Sequence, residues 1–272
     1  MRIQTTAGRA FPCGILLIAL CITLGASLSG CAGRNALPRP LGSPPLSPDG
    51  ALRALMASAP PGDQTLTVTA RIEIDARGER RPLKAALMMK KPASLRLETV
   101  PLIGPPDFFL SIDACELRVF SPGDGGGSFY AGRSTAHNLN RFFPLALPAA
   151  DIIPLLMGQP PAMEGGSYLG EREEGLYRID RFVAGEKTLS LWIDPMGDLL
   201  LRIRAFTEEG HIAYTAEFSD HTPVDKYALP RRLTILWGAV SLTLRYTELR
   251  LDKDTEPFAL PIPEGMVPVP LD

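Results

Sequence analysis

The chain has 272 residues, with 28 basic and 30 acidic side chains, a formal charge of −2 and 45% hydrophobic residues. That balance lacks the basic footprint that phosphate-backbone binding needs, which argues against nucleic acid as a partner. The length allows one large domain or two small ones, and no composition break after the first fifty residues calls for a second.

The amino terminus carries Arg2 and Arg9 and no acidic residue before an apolar run from Gly14 to Leu24. That run is shorter than the roughly 20 apolar residues a membrane helix needs, and it suits the hydrophobic region of a secretory signal. It ends in Leu28-Ser29-Gly30-Cys31. Small residues before a cysteine resemble a bacterial lipobox, which implies diacylglycerol on the Cys31 thiol, cleavage before it and acylation of the new amino terminus. Two or more acyl chains anchor a protein stably where one holds it only marginally. Residues 1–30 are thus expected to be a lipoprotein signal. Without them 26 basic side chains face 30 acidic ones, a formal charge of −4. Ala32 follows the cysteine where lipoproteins retained at the inner membrane often carry Asp, so the sorting rule points to the periplasmic face of the outer membrane.

Residues 31–48 form the lipidated cysteine and a linker. Five prolines lie between Ala32 and Pro48, a composition that favours extended polyproline conformation, at about 3.1 Å per residue. Ser47-Pro48-Asp49 then precedes Ala51–Met56, which predicts a capped helix ended by Pro60-Pro61.

Alternation governs the remainder of the domain, residues 49–272. Leu66, Val68, Ala70, Ile72 and Ile74 share one face of a period-two run, with Thr67, Thr69, Arg71, Glu73 and Asp75 on the other. The same pattern returns at Ser94–Glu98, Leu201–Ala205 and Ser241–Tyr246, with further strand-like runs near 82–90, 107–112, 115–121, 175–183, 187–194, 211–219 and 230–237. Turn signals at Arg77-Gly78, Met196-Gly197, Glu209-Gly210 and Trp237-Gly238 fall at hairpin spacing, so neighbouring strands are antiparallel. About eleven strands in succession predict a curved sheet or half-open barrel, because broad twisted sheets curl. Two short helices are expected near Thr135–Arg141 and Ala149–Met157. The second is strongly apolar, and covering the open mouth of the sheet would bury it.

Groups that carry chemistry are sparse. Cys13 and Cys21 leave with the signal, so Cys115 is the one thiol left. Its parity with Leu117 and Val119 predicts a buried core residue. His137, His211 and His221 lack the paired spacing of a zinc site and read as solvated surface residues. There is no Gly-x-Ser-x-Gly elbow, phosphate-binding Gly-Lys-Ser/Thr loop or His-Glu-x-x-His. Gly123–Gly127 reads as a flexible hairpin loop, and Glu173-Glu174 and Glu208-Glu209 read as solvated turns. The reading is of a non-catalytic protein without metal or cofactor.

Signal, lipobox, proline spacer, antiparallel strands and apolar helices follow in an order that resembles the LolA/LolB lipoprotein-localisation family, most nearly its lipid-anchored outer-membrane member LolB. More specific stretches are Thr99-Val100-Pro101-Leu102-Ile103-Gly104, Leu155-Leu156-Met157-Gly158-Gln159-Pro160-Pro161, Tyr227-Ala228-Leu229-Pro230 and Phe258-Ala259-Leu260-Pro261-Ile262-Pro263. The resemblance implies a half-open β-barrel of about eleven strands whose helical lid covers a hydrophobic cavity for lipoprotein acyl chains. It also implies a periplasmic LolA-like carrier as donor. Candidate cavity residues are Leu66, Val68, Leu95, Leu97, Leu201, Ile203, Leu242 and Leu244, and the lid would present Ile152, Ile153, Leu155 and Leu156. In LolB a Pro-Leu-Gly loop projects an apolar side chain that helps insert cargo into the membrane. Pro101–Pro106 matches it with one extra residue before glycine, so Leu102 and Ile103 are both candidates. The other course for these two residues is to fold back onto the barrel. The same residues also fit a protein of this fold that binds another amphiphile, or a docking subunit of an envelope complex with a filled interior.

Overall fold

In the computed structural model the structure describes residues 47–272 except 114, 124–125, 144, 196–197, 254–256 and 272. Cys31, the signal and most of the linker lie outside the described residues. The described part belongs to the compact unit Gly42–Asp272.

Helix α1 spans Pro48–Ala57 because its ends are satisfied locally: the Ser47 hydroxyl accepts from the Gly50 amide at 3.1 Å, and the Ser58 hydroxyl donates to the Leu55 carbonyl at 2.8 Å. Ala51 and Leu55, one turn apart, are its buried stripe. Six strands follow as a meander: β1 Thr65–Ala76, β2 Glu79–Lys90, β3 Ser94–Thr99, β4 Phe109–Asp113, β5 Glu116–Ser121 and β6 Ser128–Arg133. Two short helices come next, α2 Ala136–Asn140 and α3 Ala149–Leu156. A second meander comprises β7 Ser167–Glu173, β8 Leu176–Val183, β9 Glu186–Asp194, β10 Leu199–Phe206 and β11 Ile212–Ser219. The small hairpin β12 Thr222–Val224 and β13 Tyr227–Leu229 leads to β14 Arg232–Trp237 and β15 Val240–Asp252, and β16 is Val269–Pro270.

Fourteen strands form one sheet in the order β16-β6-β5-β4-β3-β2-β1-β15-β14-β11-β10-β9-β8-β7. All neighbours are antiparallel except β16 with β6. The sheet is open, with β16 and β7 as its edges, and β1 with β15 is the seam between the two meanders. A bulge in β15 at Thr247 shifts the register between Thr69 and Ala70, so its inward face passes from Leu242, Leu244 and Tyr246 to Leu249 and Leu251. The fold is thus a half-open antiparallel β-barrel with a helical lid. Topology accounts for the lid: the chain leaves β6 near one edge and re-enters as β7 at the other, so residues 134–166 must cross the sheet. The apolar stripe of α3 places that crossing on the concave side, within the core.

All eleven runs read from alternation are strands; β6, β7, β16 and the β12–β13 hairpin are additional. Cys115 is a correction. It is exposed, because it sits in the turn before β5, where strand parity no longer sets side-chain direction.

Candidate functional site

The concave face collects seven of the eight expected wall residues. Leu66, Val68, Leu95, Leu97, Ile203, Leu242 and Leu244 are all buried there, in one cluster with Ile152, Ile153, Leu155 and Leu156 of the lid. Leu201 is the exception. A bulge in β10 between Leu200 and Arg202 gives the inward position to Leu200, which pairs with Ile193, and leaves Leu201 half-buried. Strict alternation counted back from Ile203 cannot register an inserted residue.

The lid is seated by its carboxyl end. The Gln159 amide donates to the Pro154 carbonyl and the Gly158 amide to the Leu155 carbonyl, both at 2.9 Å, with Gly158 at φ +74°. This is the Schellman arrangement, which needs a left-handed residue one position past the cap. A Cβ at Gly158 would also stand 2.5 Å from the Pro230 ring, so glycine permits the close approach as well. The Leu156 carbonyl accepts from the Tyr246 hydroxyl of β15 at 2.7 Å. Burial holds the Tyr246 phenol far above its ordinary pKa, so it stays a donor. In the first turn of α3, burial likewise raises the Asp151 carboxyl, and Asp151 adds to the raised value of Tyr214 after burial.

Beneath the lid's carboxyl end lies a cavity of about 20 Å³ lined by Leu55, Met157, Gln159, Leu200 and His221. Gln159 is 4% exposed, and both its amide atoms lack a hydrogen-bond partner among the described residues. A polar space of that size is large enough for one water. His221 was expected at the surface with His137 and His211; those two are exposed, whereas His221 is half-buried. Burial lowers its pKa, opposed by a hydrogen bond to the Leu200 backbone and by Asp194 and Asp220.

The Pro101–Pro106 loop is built differently. At its base the Thr99 hydroxyl accepts from the amides of Asp107 and Phe108 and donates to the Asp107 carboxylate. At its tip Leu102 is 101% exposed and Ile103 91%, with Gly104 at φ +94° making the turn. Neither side chain folds back. An open recess of about 900 Å³ lies beside the loop, with Ile72, Leu83 and Val100 as apolar wall and Arg71 and Lys84 at its margin.

The position of Tyr246 on the face of Leu242 and Leu244 was readable, since a buried phenol needs an acceptor. That the acceptor is Leu156, 90 positions away, was not.

The described residues form a barrel open along one side and closed over by a short apolar helix. No known family profile matches the chain, and no curated protein matches it in sequence. Solved structures do. A LolA superfamily protein from Nitrosomonas europaea superposes with a TM-score of 0.54 at 12% identity, over 79% of this chain and 99% of that one. A protein domain from Vibrio parahaemolyticus, named for outer membrane lipoprotein sorting, gives 0.54 at 14% identity over 77% and 94%. A DUF1329 family protein from Desulfovibrio piger gives 0.54 at 14% over 76% and 94%. The fold is LolA-like.

Proposed function

We propose that this chain is a non-catalytic, lipid-anchored envelope lipoprotein, LolB-like in role. It receives the acyl chains of other lipoproteins beneath its lid and assists their insertion into the outer membrane from the periplasmic face. The observation that carries the reading is the fully exposed pair Leu102 and Ile103 on a loop whose base is fixed by Thr99. A monomer surface gains nothing from two large apolar side chains on a rigid stalk, whereas a bilayer offers each about 1.5–3 kcal/mol on burial. Lipidated Cys31 supplies the anchor, and a periplasmic LolA-like carrier is the natural donor.

The seated lid means that cargo must take the lid's place. Lifting Ile152, Ile153, Leu155 and Leu156 away from the core costs about 6–12 kcal/mol at the usual value per side chain. An acyl chain of about 16 carbons returns about 12 kcal/mol at roughly 0.8 kcal/mol per methylene. The two meet at the upper end of that range. Such a balance suits a transfer protein, in which cargo that bound far better than the lid would never leave.

Replacing Leu102 and Ile103 together with Glu is expected to leave folding intact and to abolish transfer of an acylated cargo into vesicles. Unimpaired transfer by that variant would remove the insertion role. The lid packed into the core also fits a docking subunit of an envelope complex, and native mass spectrometry of the unlipidated chain with an acylated peptide separates the two. A retained acyl peptide supports the carrier; a protein that never takes one supports the docking subunit.

A further inference from the structure

The β1–β2 turn and the Leu102–Ile103 loop lie at the same end of the sheet. Strand β2 begins at Glu79, beside the turn, and its Ala85 pairs with Thr99, so the chain leaving β3 runs back towards that end. The segment after α2 reaches it too. There Phe142 and Phe143 lie beside Ile74 and form the apolar wall of a cleft of about 530 Å³. Arg77, Arg81 and Arg141 line the same cleft, with Glu79 as the acidic residue among its lining.

The three guanidinium groups are unevenly compensated. Arg81 donates to Glu79 at 2.7 Å, an exposed pair. Arg141 donates to the Leu271 carbonyl at 3.3 Å and lies 5.8 Å above the Phe142 ring, contacts that orient the group without neutralising it. Arg77 has no ion pair among the described residues and is exposed. Two positive charges at the rim of an apolar-walled cleft complement a group that is anionic at one end and apolar at the other.

We infer that this cleft takes the headgroup of an anionic membrane phospholipid, with the phosphate between Arg77 and Arg141 and the glycerol and upper acyl carbons against Ile74, Phe142 and Phe143. The inference rests on the proposed membrane contact of the loop and adds a lipid preference to it. Leu102 and Ile103 would give depth of insertion, and the arginines would choose the lipid and set the tilt of the barrel on it.

The experiment uses residues 31–272, the chain without its expected signal, carrying Cys31→Ser so that it cannot be acylated, and measures cosedimentation with two kinds of vesicle. One is pure phosphatidylcholine; the other has one part phosphatidylglycerol to three parts phosphatidylcholine. The tested variant combines Arg77→Asn, which the left-handed backbone at φ +56° tolerates, with Arg141→Gln. Binding to anionic vesicles should fall about 30-fold, the equivalent of roughly 1 kcal/mol for each basic residue near a charged surface. Binding to pure phosphatidylcholine and the thermal midpoint should not change. A control combining Arg53→Gln and Arg245→Gln removes the same charge from exposed positions outside the cleft. An equal fall in that control would overturn the proposal, as would full competition by inorganic phosphate, which would make the cleft a site for the free ion. A charge-neutral variant, Leu102→Ser with Ile103→Ser, should weaken binding to both vesicles equally. If it does not while the arginine effect persists, the insertion reading fails and the headgroup site stands.

Discussion

The Tyr246 hydroxyl and the Leu156 carbonyl meet at 2.7 Å inside the core, joining a strand of the sheet's central seam to the last turn of the lid. Tyr246→Phe would leave that carbonyl buried without a donor, at a cost of about 1–3 kcal/mol. The penalty falls on the seated lid alone, since a lifted lid exposes the carbonyl to water. Amide hydrogen exchange at 149–159 should quicken, and an acylated probe should enter faster. Unchanged protection there would show that the bond does not hold the lid.

Gly158 tests the same latch from the other side. An alanine at this left-handed position costs about 1–2 kcal/mol in the backbone, and its Cβ meets the Pro230 ring at 2.5 Å. Overpacking of this kind adds about 1–3 kcal/mol. Gly158→Ala should therefore lower the urea midpoint substantially, and Pro230→Ala in the same chain should restore part of the loss. A double variant no more stable than the single one would place the whole cost in the backbone.

The bulge in β10 makes neighbouring leucines unequal. Leu200→Ala removes a buried side chain and should cost about 2–5 kcal/mol, whereas Leu201→Ala should cost well under half as much. Denaturation midpoints for the pair check this. Equal losses would mean that both face the core.

His221 predicts a pH dependence. Burial lowers its pKa from 6.5 in the folded chain, so just below that pH the unfolded chain binds more protons than the folded one. The stability contributed by the neutral ring is then present above 6.5 and is lost as the pH falls through the lower folded value. Thermal midpoints should drop on acidification in that window, and His221→Gln should flatten the drop. A slope that survives in the variant would assign it to other groups.

The parts of this fold that alternation reaches were legible in the sequence. Strands such as β1, with Leu66, Val68, Ala70 and Ile72 buried, announce themselves because one face is dry and the other wet. Edge strand β7 has no such contrast. Tyr168 is half-buried and its neighbours are mostly exposed, so its residues carry a pairing role that leaves no hydrophobic period. Bulges at Thr247 and Leu201 were equally silent, since an inserted residue alters parity without altering composition. At the site, the exposed apolar loop could be found from its prolines and glycine. The arginine cleft could not, because Arg77 and Phe142 come together only through the crossing of residues 134–166 beneath the open side of the sheet.

The seam between β1 and β15 has a consequence for when this chain can fold. Thr67 and Asp252, 185 positions apart, are in contact across it, so the largest strand pairing in the domain waits for nearly the last of the polypeptide. Until β15 arrives, β1 is an unpaired edge and the first meander has half of its core uncovered. Contacts this distant slow folding. Were the chain exported as proposed, that delay would keep a nascent chain without its final strands loose until it had crossed the membrane.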